Sequence, residues 1–288
     1  MVEISAATVM KLRKMSGQGM MDCKAALGES NGDMNKAVEI LRKKGFATLA
    51  KRAERETCEG LVVSKTSSDG KVAVLATLCC ETDFVAKSDD FIAAADILAD
   101  YALACPESDG SANVLKASIN GRAYNDVLNE VVSKTGEKIQ VGDYVKYKLI
   151  SPGLISVYVH FNKKVGTMLQ IETGDDKTGG ADILKKTAAD IAMHITATKP
   201  LALDKDGILA EVIEQEKSIA AAQIKNKPAN IVDKIVEGKI NKFFADNCLL
   251  SQPFVKDDSK SVAEILSQAA KEVGGQAKIT KFVRFGVG

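Results

Sequence analysis

"GLVVSKTSSDGKVAVLATLCCETDFVAKSDDFIAAADILADYALA", residues 60–104, changes its period once and decisively. Up to Glu81 it reads as two β-rich runs around the turn cluster Ser67-Ser68-Asp69-Gly70, the pattern of a hairpin. Past Asp83 the apolar residues return at helical spacing. In the second strand, Cys79 and Cys80 must point to opposite faces. At the strand-to-helix corner, pattern alone makes Asp83 the helix N-cap and turns Phe84 into the core.

The same grammar recurs. "KKVGTMLQIETGDD" lies over "GKVAVLATLCCETD" with Lys164-Val165 on Lys71-Val72; strands precede it and the helical "ADILKKTAADIAMHITA" follows. Two related α+β subdomains with antiparallel sheets are expected. Ahead of them stands a three-helix module. Ser5 caps its first helix, Gly17 stops it, and Met34, Ala37, Val38 and Leu41 form a helical stripe. The charged "KKGFATLAKRAERE" reads as a solvated helix face leading out of the module. "AYNDVLNEVVSKTG" is a helix ended by Gly136. After Leu203 the pattern becomes all-helical, and Pro228 near the start of the second of two helices marks an antiparallel hairpin. A loop, the helix "SVAEILSQAAKEV" and the alternating strand "ITKFVRFGV" complete the chain. The expected divisions are 1–55 for the module and linker, 56–141 and 142–202 for the core N- and C-subdomains, 203–246 for the hairpin, and 247–288 completing the C-subdomain.

Composition narrows the function classes. Of 288 residues 45% are apolar and 27% charged, a globular balance, and 39 basic against 38 acidic side chains leave no field to draw the chain to nucleic acid or anionic lipid. No run of 18 apolar residues occurs, and "MVEISAATVMKLRKMSG" lacks the signal-peptide pattern, so a cytoplasmic chain is expected, without membrane or direct nucleic-acid contact. The six cysteines (Cys23, Cys58, Cys79, Cys80, Cys105, Cys248) include no C-x-x-C pair and read as reduced thiols, with neither metal nor cofactor expected. With only His160 and His194, and no nucleophile elbow or phosphate-binding glycine motif, no catalytic residue is assigned. The pairs Asp89-Asp90, Asp175-Asp176 and Asp257-Asp258 read as solvated turns. Met20-Met21 at a helix start leaves two readings open: a soft contact surface, or one methionine packed within the module. An adaptor joined to an unrelated α+β enzyme lacks an acid-base-nucleophile cluster, and an RNA-associated protein lacks the charge.

Five blocks, "LRKMSGQGMMDCKAAL", "ETDFVAKSDDF", "DIAMHITATKP", "LLSQPFVKDDSKSV" and "FVRFGVG", resemble in content and order the elongation factor Ts family, over nearly the whole chain. The resemblance implies a ubiquitin-associated-like N-terminal module, a two-subdomain α+β core and an inserted helical hairpin. It implies a non-enzymatic exchange factor for elongation factor Tu, releasing GDP. It also reverses the reading of the corner: Asp83 and Phe84 become a wedge between helices of the partner's GTPase domain, beside Thr82 and with Val85 behind them. Met20, Met21 and Lys24, then Thr135, Gly136 and His160, and finally Val255 and Lys256, are implied as further contacts. His194 is expected to be a packed structural residue. "HFNKKVG" departs from the family as a bulkier stretch with one inserted residue, and Lys256 stands where an apolar residue occurs in others.

Overall fold

The structure, a computed structural model, describes residues 4–16, 18–51, 54–224 and 229–288, with side chains 42, 45–51 and 229–230 left aside. The expected helix stop at Gly17 and the Pro228 turn lie outside the described residues. Helices α1 (Ala6–Ser16), α2 (Met20–Glu29) and α3 (Met34–Lys51) form the N-terminal module. Ser5 Oγ caps α1 by accepting from Thr8 N at 3.2 Å, and Asp33 Oδ1 caps α3 by accepting from Asn35 and Lys36 N. Val9, Leu12, Cys23, Ala26, Leu27, Ala37 and Leu41 close its small core, with Met34 and Val38 at the margin. Met20 and Met21 are both exposed, which overturns the reading that one packs within the module.

Strands β1 (Glu59–Thr66) and β2 (Val72–Cys80) pair antiparallel and lead into the one-turn helix α4 (Asp83–Ala86) and the long α5 (Asp89–Ala104). The polar stretch that follows holds α6 (Ser111–Lys116) and the tiny β3 (Ser118–Ile119) and β4 (Arg122–Ala123). Helix α7 (Tyr124–Thr135) ends at Gly136, whose left-handed φ of 68° closes the last turn. Strand β5 (Ile139–Lys148) then pairs with β2, giving the order β1-β2-β5. The expected division at 141/142 therefore falls inside a strand of the first sheet: residues 142–148 belong with what precedes them, because their backbone groups find their partners on β2.

The second unit repeats the first. Strands β6 (Gly153–Val159) and β7 (Val165–Thr173) lead into the short α8 (Asp176–Gly180) and the long α9 (Asp182–Thr198). Helices α10 (Ala210–Ala222) and α11 (Ala229–Asn247) pack together as the inserted hairpin. It opens and closes at one place, where Ala202 and Cys248 form a bridge and Leu249 N donates to Ala202 O at 2.9 Å. The stretch read as a loop forms a small ladder, β8 (Pro253–Phe254) with β9 (Asp257–Ser261). Helix α12 (Val262–Glu272) starts on a full Ser261–Glu264 capping box, and β10 (Ala277–Gly286) completes the order β10-β7-β6.

The duplication is in register. β2 and β7 are both 9 residues long and start 93 positions apart, at Val72 and Val165. The same 93 positions separate the starts of α5 and α9, Asp89 and Asp182. Beyond the hairpin the spacing becomes 138, from Tyr124 to Val262 and from Ile139 to Ala277. Gly60 and Gly153 show why side chains are excluded at equivalent points. A Cβ on either would sit 2.1 Å from a carbonyl oxygen of the paired strand, Leu78 O or Ile171 O.

The two sheets stack face to face with helices outside. Leu61, Val63, Val74, Ala76 and Leu78 face α5 and α7; Leu154, Leu169 and Ile171 face α9 and α12. The opposite faces meet through Val62, Ala73, Leu75, Tyr147 and Met168. β2 is thus buried on both sides, which is why "VAVLATLCC" reads as a continuous apolar run. Among the described residues no helix is long and apolar enough to cross a membrane. Gly153→Ala is expected to lower the unfolding free energy by at least about 1–3 kcal/mol through overpacking. Gly174→Ala, with open space around its Cβ, leaves the urea midpoint within error; equal midpoints for the two variants would refute this account.

Candidate functional site

The corner between β2 and α4 is built from the chain's own caps. Thr82, not Asp83, is the N-cap: its Oγ1 accepts from Val85 N at 3.4 Å, which places Asp83 at the first helical position. The choice is made by Glu137, just past the Gly136 cap. Its carboxylate takes Thr82 Oγ1–H at 2.7 Å and Thr82 N–H at 3.1 Å, so both Thr82 donors are fixed by one charged group. Beside it Glu81 accepts from Lys138 N at 2.6 Å and pairs with Arg55 at 2.8 Å. Ser88 caps α5 and donates to Val85 O at 2.8 Å.

On this base Ala86 is buried and Val85 is half-buried against the first core, while Phe84 projects with 83% of its surface exposed. The inward orientation expected from pattern alone is overturned. One turn of helix has room for one buried anchor, and Ala86 takes it. Asp83 pairs with Lys87 at 2.7 Å, and this hydrogen bond holds its carboxyl below the usual range. Behind the corner Cys80 is fully buried and donates its S–H to Thr82 O at 3.2 Å; desolvation, with Glu137 nearby, pushes its thiol up to about 12, so it stays a neutral thiol. All six cysteines are free thiols. Among the described residues no cluster of His, Cys, Asp and Glu could hold a metal.

Several expected residues gather here. Thr135 and Gly136 immediately precede Glu137, and Thr135 Oγ1 accepts from Glu137 N at 3.4 Å. Gln18 and Asp22 of the N-terminal module share a small cleft with Ser133 and Gly136, which brings the start of α2 to the same end of α7. Met20, Met21 and Lys24 are exposed on that helix. His160 lies in the β6–β7 turn and contacts Asn162 Oδ1 at 2.9 Å. The turn reaches the corner through Lys164, which pairs with Glu59, the strand partner of Cys80. Val255 and Lys256 are elsewhere, on the β8–β9 turn over α9, where Lys256 pairs with Asp190 at 2.7 Å. Sequence reasoning missed Glu137, whose only signal is an acid one residue past a helix-ending glycine, and Phe161, 89% exposed beside His160.

His194 is fully buried and structural, as expected. Its Nδ1 accepts from Val255 N at 3.2 Å, so Nε2 carries the proton and donates to Gln252 Oε1 at 2.9 Å. Desolvation depresses its pKa below the ordinary 6.5, only partly offset by Gln252. The unfolded chain therefore takes up a proton near pH 6.5 that the native state resists, and the stability held above that pH is lost as pH falls. Denaturation midpoints at pH 7.5 and 5.5 are expected to fall for the wild type. His194→Gln should be weaker at pH 7.5 with a smaller fall; an unchanged fall would show that other groups carry it. Glu137→Ala should cost about 1–3 kcal/mol, from the lost charge-assisted bonds to Thr82. Faster amide exchange at Val85 and Lys87 should accompany it, and unaltered exchange there would mean that Glu137 does not hold the corner.

The sequence profile described as "Elongation factor TS" matches residues 81–288, which begins at this corner. Elongation factor Ts of a Nitratiruptor species is 43% identical over 287 residues, covering 99% of this chain and 93% of that protein. Elongation factor Ts of Nautilia profundicola is 43% identical over 293 residues, with 100% and 94% covered. That of Chlorobium phaeobacteroides is 40% identical over 298 residues with both chains covered completely. The chain belongs to the elongation factor Ts family.

Proposed function

We propose that this chain binds elongation factor Tu carrying GDP and speeds release of the nucleotide, with Asp83 and Phe84 as a wedge between helices of the partner's GTPase domain. Moving those helices disturbs the Mg²⁺ and phosphate sites, so GTP can replace GDP. The single observation that supports the wedge is Phe84: a large apolar ring held in water on a base fixed at Thr82 by Glu137. An exposed ring on a rigid support loses little conformational freedom when it inserts. The reading needs no catalytic group, because what changes is the partner's conformational equilibrium, and the coupling is reciprocal: nucleotide and exchange factor each weaken the other's hold.

Magnitudes require more than one contact. A ten-thousandfold acceleration is a barrier lower by roughly 5.5 kcal/mol. Burying one phenylalanine supplies only about 1.5–3 kcal/mol. The remaining contacts in this reading are Met20, Met21 and Lys24, then Thr135, Gly136 and His160 around the corner, with Val255 and Lys256 at a second place. Thr82 and Val85 hold the wedge from behind.

The test is release of fluorescent GDP from elongation factor Tu. Wild type is expected to speed it by orders of magnitude, and Phe84→Ala to lose about tenfold or more with an unchanged melting temperature. A wild type without effect would sink the exchange reading; an unimpaired variant would remove the wedge and keep the exchange.

A further inference from the structure

The duplication supplies an internal control for the corner. Moving 93 positions on from Thr82 reaches Asp175, which caps α8 by accepting from Thr178 N at 2.7 Å, as Thr82 caps α4. Phe84 maps onto Lys177. The hairpin turns correspond as closely. Ser67–Lys71 maps onto His160–Lys164, and Asp69 Oδ1 and Asn162 Oδ1 each accept, at 3.0 Å, from the lysine two residues on. Ser67 N donates to Val72 O and His160 N to Val165 O; Gly70 and Lys163 both adopt positive φ, 70° and 54°. The two turns share one backbone and differ in what they carry: Ser67-Ser68 in the first, His160-Phe161 in the second.

Each turn lies beside the other unit's corner. The second turn crosses to the first sheet, where Val62 N donates to Lys163 O at 2.7 Å, Lys163 pairs with Asp96 of α5 at 3.0 Å and Lys164 pairs with Glu59. The first turn crosses the opposite way: Asp69, Gly70 and Lys71 share a cleft with Gly153 and Asp176. The molecule thus presents two equivalent combinations of corner and turn. One carries Phe84 and Phe161, 83% and 89% exposed; the other carries Lys177 and Ser68, both hydrophilic. At these matched positions both exposed rings fall in the first combination.

We propose that Phe161, with the His160 ring tilted against it at a centroid separation of 4.3 Å, is a second apolar anchor on the face of Phe84, and that it seats on the same partner, elongation factor Tu. The assignment rests on the exchange reading above. The ring is held outward by a turn fixed at both ends, so its burial by the partner is nearly free of ordering cost.

The variant that tests it is Phe161→Ser, which installs the side chain that the same backbone carries at Ser68. Its reciprocal control is Ser68→Phe. Calorimetric binding to nucleotide-free elongation factor Tu, fluorescent GDP release and melting temperature are read for each. Phe161→Ser is expected to bind about tenfold or more weakly with an unchanged melting temperature, and Ser68→Phe to bind as wild type. Should Phe161→Ser melt lower, Phe161→Lys is measured in its place. Wild-type affinity in a folded Phe161 variant overturns the anchor while the exchange reading stands. A wild type that binds without releasing GDP overturns the exchange reading alone, and one that does not bind overturns both.

Discussion

The stacking of two sheets through small residues is the constraint on which the remaining structure depends. Gly166 faces Val62 and Leu75 so closely that a Cβ there would lie 2.8 Å from Val62 Cγ1, and its counterpart in the first unit is Ala73, itself buried in the interface. Because the sheets approach this far, the turn of each hairpin overhangs the other sheet. That overhang gives Val62 N a carbonyl partner and lets Lys163 and Lys164 reach Asp96 and Glu59. A face assembled from parts of two subdomains exists only because the two cannot slide.

The corner obeys a second constraint, set by charge. Thr82 is fixed by a carboxylate 55 positions away, and Glu81 beside it by Lys138 and Arg55. Thr82, Glu137, Glu81 and Lys138 are partly buried, so the bonds among them are screened less than that of the exposed Asp83–Lys87 pair, which contributes little to stability. The apolar ring at Phe84 can stay in water because long-range polar contacts, not packing of the ring itself, keep the backbone in place.

Much of this was legible in the sequence. The hairpin, the period change after Glu81, the Gly136 stop and the Lys71-on-Lys164 repeat follow from local patterns, and each corresponds to a described element. What was not legible involves partners distant in sequence. Thr82 and Asp83 are both good caps, and Glu137 decides between them. Periodicity cannot tell a core phenylalanine from an exposed one in a single helical turn. The division expected at 141/142 cut through β5 because pairing is a property of two strands and its pattern resembles the strands that follow it. Phe161 was passed over because its significance appears only beside Ser68.

The ends of the helical hairpin meet at the Ala202–Cys248 bridge, so the host chain experiences 45 additional residues as though they were a short connection. Entropically, a loop whose stem is already joined adds almost nothing to the ordering of the fold around it, and even an unpaired loop would cost only about 0.6 kcal/mol for each doubling of its length. The insertion can therefore lengthen, shorten or change its surface over evolutionary time while the duplicated core retains its register. The same stem is the natural position at which another module could be grafted into this scaffold.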